Sequence, residues 1–280
     1  MKAWQTQIIK TERGTFEVFT KGHGNPLCVT HLYSDFNCSG DHFADTFTVR
    51  HKVILVNLKG AGQSDQPQSE DEYSMEETVK DLEAIRDSMD IERWAFAGHS
   101  TGGMLGLLYG IRYPESISQL IVVGSAASGN YADESDCIYH QDHPKFNDMQ
   151  DVINKLKLPC LHPDERKLLS RQRTRLSLYR PERYERYFSA KIFKKIAVER
   201  LDYFAEKEFP LFDYRVQLRE LKVPTLIICG EHDVQCPIRC SYEMNRLIPT
   251  STFLCFQESN HYPFLEEKER FQFAIHSFLL

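Results

Sequence analysis

The sequence predicts an α/β protein built on a mostly parallel β-sheet covered by helices. Short apolar, β-rich runs alternate with helical patterns along the chain. Several runs, such as Val53-Ile54-Leu55-Val56 and Thr225-Leu226-Ile227-Ile228-Cys229, are continuously apolar rather than alternating, as strands buried on both faces must be. The chain has 280 residues, of which 41% are hydrophobic and 26% charged, enough for one large core and far from a disordered composition.

The elements follow in order. Gln7–Lys10 and Thr15–Phe19 alternate as an antiparallel hairpin would, with Gly14 in the turn. Pro26–Thr30 and Lys52–Asn57 read as buried strands. Ser74-Met75-Glu76-Glu77 is a capping box opening a helix whose apolar face is Met75, Val79, Leu82, Ile85 and Met89. Trp94–Ala97 is a strand, Gly102–Tyr113 a helix ended by Pro114, and Gln119–Val123 the next strand. Val223–Cys229 and Thr252–Phe256 are the last two strands, each followed by helical sequence.

The stretch 125–212 breaks this rhythm. It offers no convincing strand, and residues 171–200 carry ten basic side chains against three acidic ones. It reads as a helical insertion over the sheet, dividing the chain into a core of 1–124 and 213–280 and a cap of 125–212. The basic run reads as a solvated helix face rather than a nucleic-acid surface, because the whole chain is acidic, with net charge −6.

Composition narrows the setting. No apolar run is long enough to span a bilayer, and Met1–Gln7 lacks an apolar signal segment, so a cytoplasmic protein without a membrane partner is expected. The eight cysteines form no Cys-x-x-Cys pair and read as free, buried thiols. His140-x-x-His143 lacks a partner at ligand spacing, so no metal is expected. The oligomeric state is not legible.

The sharpest motif is Gly98-His99-Ser100-Thr101-Gly102. A strand runs directly into it and a helix directly out, which is the context of a strained elbow that exposes a serine at its tip. Chains pass so close there that a Cβ on either glycine would clash. A serine hydroxyl is a poor nucleophile at neutral pH and needs a base. Asp233, in Gly230-Glu231-His232-Asp233, lies just beyond one strand, and His261, in Ser259-Asn260-His261-Tyr262-Pro263, just beyond the next. Order and placement make Ser100 the nucleophile, His261 the base and Asp233 the acid, with Glu231 the competing acid. His99 reads as a packing neighbour, and His232 as a loop residue without a task.

At these residues the chain resembles the α/β-hydrolase family over nearly its whole length. The shared features are the elbow, the Gly60-Ala61-Gly62-Gln63-Ser64-Asp65 turn, the Gly230-x-x-Asp233 loop and the His261-x-Pro263 loop. The resemblance implies a mostly parallel eight-stranded sheet with flanking helices and a helical lid inserted before the acid-bearing strand, and hydrolysis without cofactor. It also implies two oxyanion-hole amides, assigned to Tyr33 and Thr101. The first lies in Thr30-His31-Leu32-Tyr33-Ser34, where Leu32 stands in place of the family's glycine.

The activity expected is acyl transfer from a small-molecule ester or amide through an acyl-enzyme. A proline iminopeptidase-type reaction, with lid acids Glu182, Glu185, Glu199, Asp202 or Glu206 holding an ammonium, is the alternative. Carbon–carbon bond hydrolysis and a non-catalytic ligand sensor on the same fold are further readings. The lid rings, such as Phe188, Phe193 and Tyr203, are expected to make an apolar acyl pocket while the lid's Arg and Lys face water.

Overall fold

The computed structural model describes residues 3–158 and 160–279; Met1, Lys2, Pro159 of the insertion and Leu280 lie outside them. The strands are β1 (Gln5–Thr11), β2 (Gly14–Lys21), β3 (Pro26–Val29), β4 (Ser34–Asp35), β5 (Lys52–Val56), β6 (Trp94–His99), β7 (Ile117–Val123), β8 (Lys195–Ile196), β9 (Thr225–Gly230) and β10 (Ser251–Phe256). Eight of them form one sheet in the order β1-β2-β5-β3-β6-β7-β9-β10. The β1–β2 hairpin pairs antiparallel to β5, and all later pairings are parallel.

Alternation along the strands builds two cores. Ile54 and Val56 of β5, Phe96 of β6, Leu120 and Val122 of β7 and Ile227 of β9 enter one apolar cluster. Their neighbours Val53, Leu55, Ala95, Ala97, Ile121, Val123, Leu226 and Ile228 enter the other. A sheet buried on both faces explains the unbroken apolar runs, each large side chain contributing about 1.5–3 kcal/mol of burial. Helix α1 (Met75–Ser88) packs on the first face through Val79, Leu82 and Ile85. Ser74 caps it by accepting from the Glu77 amide at 3.2 Å, while the Glu77 carboxylate turns to Arg13 and Lys80, so half of the expected capping box forms.

Helix α2 (Thr101–Arg112) is buried almost all round beneath the same face. The cap runs through α3 (Phe146–Leu156), α4 (Pro163–Leu176), α5 (Tyr184–Tyr187) and α6 (Val198–Tyr203), which leads into a π-turn at Phe204–Glu208. Helix α7 (Ile238–Leu247) lies between β9 and β10, and α8 (Pro263–Glu266) and α9 (Lys268–Phe278) close the described chain. Where the insertion leaves and rejoins the core, two strands of chain cross antiparallel: the Gly129 amide donates to Phe212 and the Tyr214 amide to Ala127.

One strand in the insertion escapes the sequence reading. β8 pairs antiparallel with β4, tying Lys195–Ile196 of the cap to Ser34–Asp35 after β3. Two residues are too short for an alternation signal. No helix among the described residues is long and apolar enough to cross a membrane. Of the cysteines, Cys38 and Cys160 are exposed rather than buried, and all eight are free. His140 and His143 each use Nδ1 to accept an amide two residues on, so both close local turns.

Candidate active site

The chain runs from β3 to β5 on one side and then returns to β6 on the other, so the sheet order reverses between β3 and β6. A crevice opens beyond the carboxyl ends of strands at such a point. The elbow after β6 and the loop after β3 face it.

Ser100 occupies φ +56°, ψ −125°, a conformation that costs a non-glycine residue about 1–3 kcal/mol. Its surroundings hold it there. The Ser100 amide donates to Val123 of β7 at 2.9 Å, and its carbonyl accepts from the Gly103 amide and the Ser125 hydroxyl, each at 2.9 Å. A Cβ on Gly98 would lie 2.1 Å from the Gly102 carbonyl oxygen, and one on Gly102 would lie 2.5 Å from that of Thr30. Both elbow glycines are therefore steric requirements.

Asp233 lies in the turn after β9 and His261 in the loop after β10, both buried. His261 Nδ1 stands 3.0 and 2.9 Å from the two Asp233 oxygens. Asp233 Oδ1 also accepts the amides of Gln235 and Cys236, at 2.8 and 2.9 Å, so the carboxylate is fully occupied. Glu231, the competing acid, is exposed and plays no part in this network. With Nδ1 committed to Asp233, Nε2 is the imidazole nitrogen left for chemistry.

His99 does more than pack. Its ring lies 4.5 Å from that of His261, and its Nε2–H donates to the His261 carbonyl at 2.7 Å. Burial, reinforced by the neighbouring His261, pushes the His99 pKa well down and keeps it a neutral donor. Glu266 grips the same loop: its carboxylate accepts from the Asn260 amide at 2.8 Å and from the Tyr179 amide of the cap at 2.6 Å. His232 stacks on Tyr179 with ring centroids 4.5 Å apart.

The loop after β3 answers the glycine question. Leu32 is 1% exposed and has no positive φ, so a side chain is accommodated in the first core and glycine is not needed. Among the described residues, neither the Tyr33 nor the Thr101 amide donates a hydrogen bond. The peptide between Leu32 and Tyr33 is held from behind. Arg200 of α6, itself buried, donates from Nε to the Leu32 carbonyl at 2.5 Å, and its other nitrogens reach the Lys59 and Tyr73 carbonyls and Thr78 Oγ1. His31 stays neutral beside this loop, its pKa pushed down to about 3 chiefly by burial.

The roof differs from the apolar one expected. Phe188 is present, its ring 6.0 Å from that of Tyr262. Phe193 is 64% exposed, and Tyr203 packs on Tyr73, away from the histidine loop. Nor do all cap cations face water fully, since Arg200 is buried and Arg173 half-buried. The lid acids Glu182, Glu185, Glu199, Asp202 and Glu206 are exposed, and Glu185 pairs with Arg171. Sequence reasoning had no signal for the roles of Gly124, Ser125, Arg200 or Glu266.

Residues 23–268 match the family described as the alpha/beta hydrolase fold. Among curated relatives, a proline iminopeptidase of Heyndrickxia coagulans is 25% identical over 95% of both chains. A 2-hydroxymuconate semialdehyde hydrolase of Pseudomonas putida is 25% identical over 92% of this chain and 88% of that one. Among solved structures, an alpha/beta fold family hydrolase from Bacillus anthracis str. Sterne superposes with a TM-score of 0.96 at 46% identity, covering 99% of this chain and 100% of that one. The elbow, the eight-stranded sheet and a match over most of the chain lead to one assignment: this chain is a hydrolase and belongs to the alpha/beta hydrolase fold family.

Proposed function

We propose that the protein is a serine hydrolase of small esters or amides, with Ser100 as nucleophile, His261 as general base and Asp233 as the acid that orients it. The observations that carry this reading are the buried Asp233–His261 pair, whose imidazole lies 4.5 Å from the ring of His99, and the next residue, Ser100, held at φ +56° on an elbow. His261 Nε2 takes the Ser100 proton as Oγ attacks the substrate carbonyl. The Tyr33 and Thr101 amides, both free of other acceptors among the described residues, receive the oxyanion, and the N-terminus of α2 adds partial positive charge. The leaving group departs with the proton from His261. Water, deprotonated by the same nitrogen, then attacks the acyl-enzyme and frees the acid and Ser100.

The aminopeptidase alternative has the full-length iminopeptidase relative in its favour, but the lid acids that would hold a substrate ammonium point to water. Eight unpaired thiols fit a reducing, cytoplasmic setting. A fluorophosphonate probe should modify Ser100 in the intact protein and fail on Ser100→Ala and His261→Ala. Asp233→Asn should keep the fold and lower turnover by on the order of a thousandfold or more. Modification of a different serine, or an active His261→Ala protein, would refute the assignment. A protein that labels but turns over no ester or amide in a broad panel would be a ligand sensor.

A further inference from the structure

Helix α4 places Leu169, Arg173 and Ser177, the residue just past its end, on one face, four residues apart. Leu169 and Ser177 are buried. The Ser177 carbonyl accepts the His261 amide at 3.3 Å, and its hydroxyl accepts from Gln235 Nε2 at 2.9 Å. That face therefore looks onto the histidine loop, and Arg173 lies on it one turn back from the contact. Three phenols lie near enough to feel its charge. Tyr33 belongs to the oxyanion loop, Tyr262 follows His261, and Tyr139 donates to Gln235 Oε1 at 2.8 Å. All four side chains are half-buried.

Arg173 is set apart by what it lacks. Arg171 pairs with Glu185, Arg180 with Glu258, and buried Arg200 has four acceptors. Among the described residues Arg173 has no hydrogen bond and no ion pair, and the groups that feel its charge are tyrosines and His31, not carboxylates. Partly desolvating a guanidinium without a counter-charge is costly, and an anion bound beside it offsets that cost. The guanidinium fork matches a planar carboxylate with two parallel hydrogen bonds.

We propose that Arg173 is the receptor for a carboxylate on the substrate, so that the ester or amide hydrolysed is an anionic one, its carboxylate held on the Arg173 fork among Tyr33, Tyr139 and Tyr262. This rests on Ser100 being the nucleophile. It replaces the apolar acyl pocket expected from the sequence, and it disfavours an α-ammonium substrate, which the same cation would repel.

The test separates the two layers. Fluorophosphonate labelling of Ser100 comes first, because it reports the nucleophile without any carboxylate; its absence overturns the underlying reading and this one with it. With labelling intact, kcat/KM is compared for 4-nitrophenyl hemisuccinate against 4-nitrophenyl pentanoate, and for 4-acetoxybenzoate against phenyl acetate. The two pairs place the carboxylate on the acyl or the leaving side. One anionic ester should be preferred by about tenfold or more, a preference abolished in Arg173→Gln and partly kept in Arg173→Lys. The neutral esters should change by less than about threefold in either variant. No anionic preference, or one that Arg173→Gln leaves intact, overturns the proposal. If none of the four esters turns over, protection of Ser100 from labelling is measured with succinate against succinamide. Stronger protection by succinate that Arg173→Gln removes supports the receptor; equal protection overturns it.

Discussion

Gly124, the residue just past β7, stands at φ +50° beside the Asp233–His261 pair. A Cβ there would stand 2.9 Å from Asp233 Oδ2 and 3.2 Å from His261 Nδ1. β7 lies between β6, which leads into Ser100, and β9, which leads into Asp233, so the residue that follows β7 passes between the two loops. Gly124→Ala would add both a positive-φ penalty and a push on the imidazole. Its turnover should fall by about ten- to a hundredfold, since a displacement of well under 1 Å misaligns the base. Steady-state kinetics with the fold checked by circular dichroism would measure this. Wild-type turnover in Gly124→Ala would mean that the pair shifts freely without loss.

At the scale of elements, the cap is wired into the loop after β3, the proposed oxyanion loop. A trans peptide points its C=O and N–H in opposite directions, so the grip of Arg200 on the Leu32 carbonyl aims the Tyr33 amide away from α6. In the proposed mechanism Arg200 is thus a positioning residue, acting through the peptide that follows Leu32. Arg200→Ala should lower kcat per labelled Ser100 by about ten- to a hundredfold with KM within about twofold, the signature of an interaction realised in the transition state. Stripping four acceptors of their donor should also cost about 3 kcal/mol or more in stability, seen as a lower Tm. A lower Tm with unchanged kcat per labelled site would leave Arg200 a structural anchor only. The sequence made the core elements plain, because buried parallel strands and the elbow have local signatures. It also marked Ser100, Asp233 and His261, which sit at fixed places relative to those strands. β8, the Arg200 clamp and the half-burial of Arg173 were hidden, because each depends on how a mostly helical cap docks, and the basic run 171–200 looks the same whether it faces water or the site.

Over the whole molecule, the two cores are mostly apolar, and some of the titratable groups that folding encloses sit where cap and core meet. Glu208, in the π-turn of the cap, is one of these. Its Oε1 accepts the Met75 amide at the start of α1 at 2.7 Å, while Oε2 is buried without a partner. Burial raises its pKa to about 7, against the opposing pull of that amide and of Arg200. The folded state therefore binds this proton more tightly than the unfolded chain, whose glutamates titrate near 4.3. The stability linked to Glu208 is fully present below the unfolded value and is lost as pH rises through about 7. His31, whose folded pKa is near 3, works in the opposite sense: its contribution is present above its unfolded value and is lost as pH falls toward 3. Glu208→Gln keeps the acceptor for Met75 and imitates the protonated acid. Its Tm should match wild type near pH 5 and exceed it at pH 8, flattening the alkaline side of the stability curve and leaving the acid side unchanged. Thermal unfolding at both pH values checks this, and a wild-type Tm that falls equally in the variant would place the alkaline loss on another group, with Glu266, also raised to about 7 by burial, next to examine.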